Sequence, residues 1–475
     1  MNPASQRAAF PGVIAGFEAI VGKSHIVADT AGMEGFLREP RGLFHGKALC
    51  IVRPGSVQEV AAVLALCHET GTQLVPQGGN TGLVGGQNPS LDGGAIVLSL
   101  TRLRALREID LASNTMTVEA GMVLAEVQEE ARRADRLFPL SLGSEGSCTI
   151  GGNLATNAGG TNVIAYGNAR DLALGLEVVL ADGRILSDLS KLKKNNTGYD
   201  LKNLFIGSEG TLGIITAAVL KLFPKPQSVE TAFIGLSSPR AAIDLLNLAR
   251  DTAGNEITSF ELIPRLGLDF VLAHFDTRDV LLAKYPWYVL LELSSQSRAG
   301  LDARLLALLE AASEKHIIED AAIAASLEQR ENFWKLREFL PEAQTLEGGS
   351  IKHDVSVPVA DIPVFLEEVF RSVSHAVPGA RLVPFGHVGD GNIHCNVSQP
   401  IDADRQAFLA RWDEINAIVY EIVLAHKGSV SAEHGIGQLK RDLLPKVKDK
   451  VAMELMRAIK QTLDPKGILN PGKVL

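Results

Sequence analysis

PQGGNTGLVGG, residues 76–86, is the stretch on which the reading of this chain turns. It follows TQLVPQG, a short apolar run that reads as a strand entering glycines. Successive backbone N–H groups in such a turn can face inward and hold a pyrophosphate. Asn80 and Thr81 can add side-chain donors. The loop is neither the GxGxxG dinucleotide fingerprint nor the GxxxxGK[ST] nucleotide loop. A single glycine-rich loop is usually only a turn, so its meaning depends on what surrounds it.

Upstream, ALCIVRP reads as a strand ended by Pro54, and VQEVAAVLALCHETG as a helix stopped at Gly71. Residues 1–40 read as mainly helical. Downstream, AIVLSL, TMTVEAG, LGLEVVLADG and GIITAAVLKLF are strand-like, and ADGR at 181–184 suits a hairpin turn. The 45 glycines gather at 78–94, 143–160, 207–213, 386–391 and 428–437. One such cluster is a turn; five, each with polar companions, point to backbone lining a ligand. After Pro224 and Pro226 the pattern changes. RAAIDLLNLAR, RLLALLEAASE and VFLEEVFRSV are amphipathic helices alternating with strands such as YVLLEL. The expected divisions are a helical segment 1–44, a first domain 45–226, a second 227–427 and a closing segment 428–475.

A length of 475 residues suits two or three domains. Charged residues at 21% and hydrophobic ones at 46% are values of a folded globular protein. A formal net charge of -9 disfavours general nucleic-acid binding, which needs clustered Lys and Arg. Cys50, Cys67, Cys148 and Cys395 form no CxxC pair, so reduced thiols are expected rather than disulfides or a zinc knot. No secretory or transit pattern is read at the N-terminus, and no run reaches the ~18–20 apolar residues that cross a bilayer. The expected location is therefore cytoplasmic, with peripheral membrane attachment left open.

Three further segments extend the glycine theme: PLSLGSEGSCTIGGNLATNAGG (139–160), YGNARD (166–171) and FIGSEGTLGIIT (205–216). In order and spacing these resemble the FAD-binding domain of the vanillyl-alcohol oxidase superfamily. The resemblance implies an α+β fold: a two-part FAD domain, an α+β substrate (cap) domain and a C-terminal segment that returns to the FAD domain. It implies that Gly78, Gly79, Asn80, Thr81 and Gly82 meet the pyrophosphate. Pro76, Leu83, Gly143, Gly146, Thr149, Gly152, Asn153, Gly159, Glu209, Gly210, Gly213, Ile214 and Asn470 would line the rest. Some members bind FAD covalently through His or Cys. The first loop here has Gln77 and Asn80 and no His, and Cys148 reads as a small buried residue, so non-covalent FAD is expected.

PFGHVGDGNIHCNV, 384–397, sets His387 and His394 seven positions apart across a Gly-Asp-Gly turn, and GSVSAEHGIG, 428–437, carries Glu433 and His434. A strand–turn–strand can bring both imidazoles to one point. Two His and a carboxylate make a three-ligand site for zinc or a similar ion, although a lone His is usually structural. Asp390 is a competing ligand, but Asp-Gly more often makes the turn. GHVGDGNIH, SAEHGIG and LDPKGILNPGK resemble the D-2-hydroxy acid dehydrogenases, of the D-2-hydroxyglutarate and D-lactate type and the D subunit of glycolate oxidase. The resemblance implies a divalent metal (zinc, or manganese, cobalt or iron) on His387, His394 and Glu433, His434 as base, and Asn396 as a substrate donor. WKLREFLPEAQ and SIKHDVSVP resemble the family's substrate segments, with Arg337 and Lys352 clamping a carboxylate. Where D-2-hydroxyglutarate dehydrogenases often carry Thr, this chain has Pro341, which offers neither hydroxyl nor N–H.

The implied activity is oxidation of a D-2-hydroxy acid, D-2-hydroxyglutarate first, with D-lactate or glycolate as alternatives. Without a nicotinamide fingerprint, the acceptor is expected to be a protein or a quinone; a homodimer is the family's habit. An oxygen-using oxidase, a lyase-like flavoenzyme and a non-catalytic flavoprotein are the competitors within the fold. A metallohydrolase on His387, His394 and Glu433 is the competitor from another class.

Overall fold

The computed structural model describes residues 10–475. The expected helix content of residues 1–9 lies outside the described residues. The chain divides into two compact units. The first comprises residues up to 158, 168–224 and 433–475; the second comprises 159–167 and 225–432.

The first unit holds two main sheets and a short antiparallel pairing of Arg136–Leu137 with Phe223–Pro224. The smaller contains β1 (Ile26–Val27), β2 (Ile51–Val52), β3 (Gln73–Gln77) and β4 (Ala95–Ser99), in the order β1-β2-β4-β3. Strands β2 and β3 run parallel to β4, a pairing that needs crossover connections. Helix α1 (Phe10–Val21) and helix α2 (Val57–Thr70) cover this sheet through Phe17, Val60, Val63, Leu64 and Cys67, all buried. Helix α2 starts with Ser56 accepting from Glu59 N–H and stops at Gly71 in the left-handed region, as the sequence predicts. The larger sheet contains β5 (Leu106–Asp110), β6 (Thr115–Glu119), β7 (Ala173–Val179), β8 (Ile185–Asp188) and β9 (Ile214–Lys221), in the order β5-β6-β9-β7-β8, with helix α3 (Ile150–Thr156) against β9. The ADGR hairpin between β7 and β8 closes through Leu180 N–H to the Arg184 carbonyl, Gly183 N–H to the Leu180 carbonyl and Arg184 N–H to Asp182 Oδ1. The chain's end returns to this unit: Leu469 pairs beside Leu74, and Ile468 and Leu469 enter the core.

The second unit is built on one antiparallel sheet. Its strands are β10 (Ser228–Leu236), β11 (Ile257–Pro264), β12 (Trp287–Ser295), β13 (Asp320–Ile323), β14 (Ser350–Ile351), β15 (Asp354–Ser356), β16 (Arg381–His387) and β17 (Asn392–Ser398). The order is β13-β10-β12-β11-β16-β17-β14, with β15 also pairing β17. The amphipathic segments form α4 (Pro239–Ala253), α5 (Leu301–Glu314), α6 (Leu327–Glu338), α7 (Leu340–Leu346) and α8 (Ile362–Ala376). A cluster of Phe233, Tyr288, Phe333, Leu336, Leu340 and Phe385 joins α6 and α7 to the sheet. Residues 159–167, expected with the first domain, pack here instead: Ser259 Oγ lies 3.2 Å from Asn162 Oδ1.

Candidate active site

In the first unit the glycine loops pack on one another with no room for side chains. A Cβ on Gly79 would stand 1.9 Å from the Ser147 carbonyl oxygen, which is backbone and cannot swing aside. A Cβ on Gly78 would stand 2.2 Å from Thr149 Oγ1, and one on Gly210 2.4 Å from Pro76 Cγ. Segments 76–83, 147–153 and 209–214 thus form one assembly. Gly143 and Gly146 differ, since a Cβ there would meet nothing within 4 Å. Gly213 backs onto Val178 and Phe205, and Ile214 is buried within β9, so both serve packing.

The side chain of Asn80 does not join the loop's donors as the sequence reading expects. With φ at 55°, its Nδ2 donates to the carbonyls of Gly35 (3.0 Å) and Arg38 (2.9 Å), because Asn tolerates a left-handed turn and the preceding segment supplies two unpaired acceptors. Arg41 similarly donates to the Leu83 carbonyl. Glu209, also left-handed and buried, accepts from Ile436 N–H (2.7 Å) and Gly437 N–H (2.8 Å). Burial raises its carboxyl above the usual range, against the pull of those two hydrogen bonds. Asn470 donates to the carbonyls of Gly86 and Glu209. Glu209 and Asn470 therefore tie the C-terminal segment to the loops. The oxygens Asn80 Oδ1, Thr149 Oγ1 and Asn470 Oδ1 are buried without a hydrogen-bond partner. Buried polar atoms are rarely left so, and these fit a polar cofactor threaded along the loops. Cys148 is buried and its thiol is pushed up by that burial, so it is a poor nucleophile for covalent attachment. Gly152 and Asn153 lie on the short helix that follows, Gly159 in the second unit.

In the second unit, β16 and β17 form the strand–turn–strand that the His spacing predicts. Phe385 pairs with His394 across the ladder, and the His387 and His394 rings lie 5.5 Å apart between centroids. Asp390 Oδ1 accepts from Asn392 N–H at 3.0 Å, which closes the turn, and Arg250 holds the Gly389 carbonyl at 3.0 Å. Gly391, at φ 93°, has no space for a Cβ, which would stand 2.4 Å from the Val357 carbonyl oxygen.

Two carboxylates that sequence reasoning missed sit beside these rings. Glu261, on β11, is fully buried and accepts from His387 Nδ1 at 2.6 Å and from Arg337 Nε at 2.7 Å. Burial alone would raise its carboxyl, but the His387 and Arg337 charges and their hydrogen bonds bring it down to about 2. Asp354, on β15, places Oδ1 4.0 Å from His394 Nδ1 and accepts from Asn392 Nδ2 at 3.0 Å. A signal for Glu261 did exist in the sequence: a single acid inside the apolar strand ITSFELIP.

Arg337 lies in the last turn of α6, with its guanidinium 4.7 Å from the centre of the Phe385 ring. Lys352 Nζ donates to the Pro341 carbonyl at 3.0 Å. Pro341 is tolerated because it occupies the first turn of α7, where an N–H has no helical partner. The Asn396 amide is held on both sides, giving Nδ2 to Gln344 Oε1 (2.9 Å) and taking His353 N–H (3.1 Å) on Oδ1. One Nδ2 hydrogen remains for another acceptor. Glu433 and His434 open the first unit's C-terminal segment, with His434 Nε2 3.8 Å from Glu433 Oε1.

Comparison with known proteins decides the family. The chain matches the model "FAD linked oxidases, C-terminal domain" over residues 225–474 and "FAD binding domain" over 48–188. It belongs to the FAD-linked oxidases. D-2-hydroxyglutarate dehydrogenase, mitochondrial, of Danio rerio is 39% identical over 90% of this chain and 79% of its own length. D-2-hydroxyglutarate dehydrogenase of Xanthomonas citri pv. viticola is 38% identical over 94% of this chain and 93% of its own. A putative mitochondrial D-lactate dehydrogenase of Schizosaccharomyces pombe is 34% identical over 96% and 89%. Among solved structures, p-cresol methylhydroxylase with substrate bound is similar at TM-score 0.76 and 16% identity, covering 98% of this chain and 97% of that one. Alkyldihydroxyacetonephosphate synthase follows at 0.74 and 18%, covering 97% and 84%. These two show the fold, and the family match over residues 48–188 shows its FAD-binding domain. The FAD-linked oxidase assignment makes the chain a flavin-dependent oxidoreductase.

The relatives also correct one expectation. Several eukaryotic members are named mitochondrial, so the cytoplasmic location does not stand. The four cysteines are free and buried, and that does not choose a compartment. Among the described residues, no helix is long and apolar enough to cross a membrane.

Proposed function

We propose that this flavoenzyme oxidises a D-2-hydroxy acid, D-2-hydroxyglutarate or a close relative, to the 2-oxo acid and passes the electrons to a protein or quinone acceptor. The observation that carries this reading is Arg337, buried, with its Nε engaged by Glu261 and its face on Phe385. A guanidinium so held presents its two terminal NH2 groups to a carboxylate without first losing side-chain freedom. Lys352, steadied by the Pro341 carbonyl, adds a point charge for a second carboxylate oxygen. Asn396 contributes its remaining N–H.

The bound FAD would supply the hydride acceptor. His387, His394 and Glu433 would hold a divalent metal, zinc by the chemistry of two imidazoles and one carboxylate, which would acidify and orient the substrate hydroxyl. The hydrogen bond from His387 Nδ1 to Glu261 makes Nε2 its ligand atom. His434 takes the hydroxyl proton, for which an imidazole is matched to neutral pH. Pro341 lacks the hydroxyl that many D-2-hydroxyglutarate dehydrogenases have there, so D-lactate and other short acids belong in the test.

The test is anaerobic addition of single D- and L-2-hydroxy acids to the purified flavoprotein while the visible flavin band is followed. Bleaching by one D-acid is the expected result. A yellow protein that no 2-hydroxy acid bleaches overturns the substrate class.

A further inference from the structure

Glu261 is central to β11, a strand in which every residue is buried, and it pairs directly with His387 in the sheet register. An ionised carboxylate in such a place is costly unless both oxygens are matched by charge or hydrogen bonds. Here each oxygen has a different partner: Oε1 takes His387 Nδ1 and Oε2 takes Arg337 Nε. The two partners arrive on different elements, β16 and α6. The sequence reading assigned them to different tasks, metal for His387 and substrate for Arg337.

We propose that Glu261 is a positioning residue that joins the metal-binding and substrate-binding parts of the site, and this rests on the function proposed above. One oxygen sets the His387 tautomer, so that Nε2 carries the lone pair. The other holds Arg337 by Nε alone. Nη1 and Nη2 have no hydrogen-bond partner among the described residues and are left to receive a carboxylate. Phe385, under the guanidinium plane, removes the remaining rotation. A carboxylate serving only stability would need no such choice of partners. Glu292 on neighbouring β12 shows that plainer case: it is also buried and accepts from Arg330 Nε (2.8 Å), Trp334 Nε1 (3.0 Å) and Thr231 Oγ1 (3.0 Å), none of them a candidate site residue.

The experiment uses flavin-loaded full-length protein, stripped of metal, as wild type, Glu261→Gln and Glu292→Gln. Zinc affinity is measured by competition with a chromophoric chelator, and cobalt substitution gives a visible ligand-field spectrum. A neutral amide can accept from only one of the two partners. Glu261→Gln is expected to weaken zinc binding about 10–100-fold, the usual effect of losing a partner of a metal-bound His. It should also alter the cobalt spectrum and raise the KM for the 2-hydroxy acid, with flavin content unchanged. Glu292→Gln should leave zinc affinity and cobalt spectrum at wild-type values. Should Glu261→Gln not accumulate as a flavoprotein, Glu261→Asp takes its place. It keeps the charge but cannot span both partners, so the same losses are expected. Wild-type zinc affinity and KM in the Glu261 variant overturn the proposal, as does an equal loss in Glu292→Gln. A wild-type protein that takes up no zinc removes the metal assignment itself and this role with it. Zinc binding by wild type with an unaffected Glu261 variant removes only the role of Glu261.

Discussion

The two units are built in opposite ways around their candidate sites. The first offers backbone: its loops approach each other so closely that side chains are excluded, as at Gly78 and Gly79. The second offers charged side chains, each held in place by another buried group, as Glu261 holds His387 and Arg337. A backbone cradle is damaged by added volume and tolerates most other changes. A charged cluster is damaged by isosteric changes that alter charge or fork geometry. On the proposed reading, volume and charge are thus separate levers on the cofactor and on the substrate.

The largest effect expected on this contrast is in the chemistry. His434→Ala should keep its flavin and lose about 10²–10⁴-fold in kcat, measured by steady-state turnover, since that is the usual worth of a general base. A variant with near-normal kcat would remove His434 from the mechanism. Next, Arg337→Lys keeps the charge but loses the fork. The loss of charge-assisted hydrogen bonds predicts a fall of about 10–100-fold in kcat/KM with little change in flavin content. Equal losses of flavin and of activity would blur the division between the units.

A paired glycine experiment sharpens the other side. Gly79→Ala should weaken FAD retention, by about 1–3 kcal/mol from overpacking, read from the flavin-to-protein absorbance ratio after gel filtration. Gly143→Ala, with open space around its Cβ, should retain FAD as wild type does. The same behaviour in both variants would mean that close packing is not what matters in these loops.

A smaller effect follows from the buried charges. Glu261 is ionised despite burial because it is paired, whereas burial brings Lys473 down to about 8, with Arg441 adding to the fall and Asp92 opposing it. The unfolded chain binds the Lys473 proton up to about 10.5, so between about 8 and 10.5 folding releases a proton and stability rises with pH. Below about 8 the burial penalty is complete. Lys473→Met should therefore raise Tm by a few degrees at pH 7, about what one kcal/mol or slightly more gives. The gain should shrink across that window; a constant gain would trace it to packing instead.

Much of the cofactor side was legible because glycine patterns and strand and helix periods are local. The helix stop at Gly71 and the β16–β17 turn are set by residues next to one another. Asn80 was misread because its partners, the carbonyls of Gly35 and Arg38, are 45 and 42 positions away. Glu261 went unread because one acid within ITSFELIP signals a buried charge without naming its partners. Residues 159–167 lie between first-unit segments in the chain yet pack in the second, a choice made by contacts such as Asn162 with Ser259.

By itself the sequence determined the element types, the glycine-lined loops, the flavin class and the residue types available for acid–base and carboxylate chemistry. These follow from backbone preferences and side-chain chemistry, which each residue carries wherever it lies. Only the tertiary structure decided which groups act together. Glu261 meets Arg337 across 76 positions and His387 across 126, and those meetings come from strand order and from α6 packing on the sheet. A buried charge takes its meaning from its neighbours, because only they can replace the water it has lost.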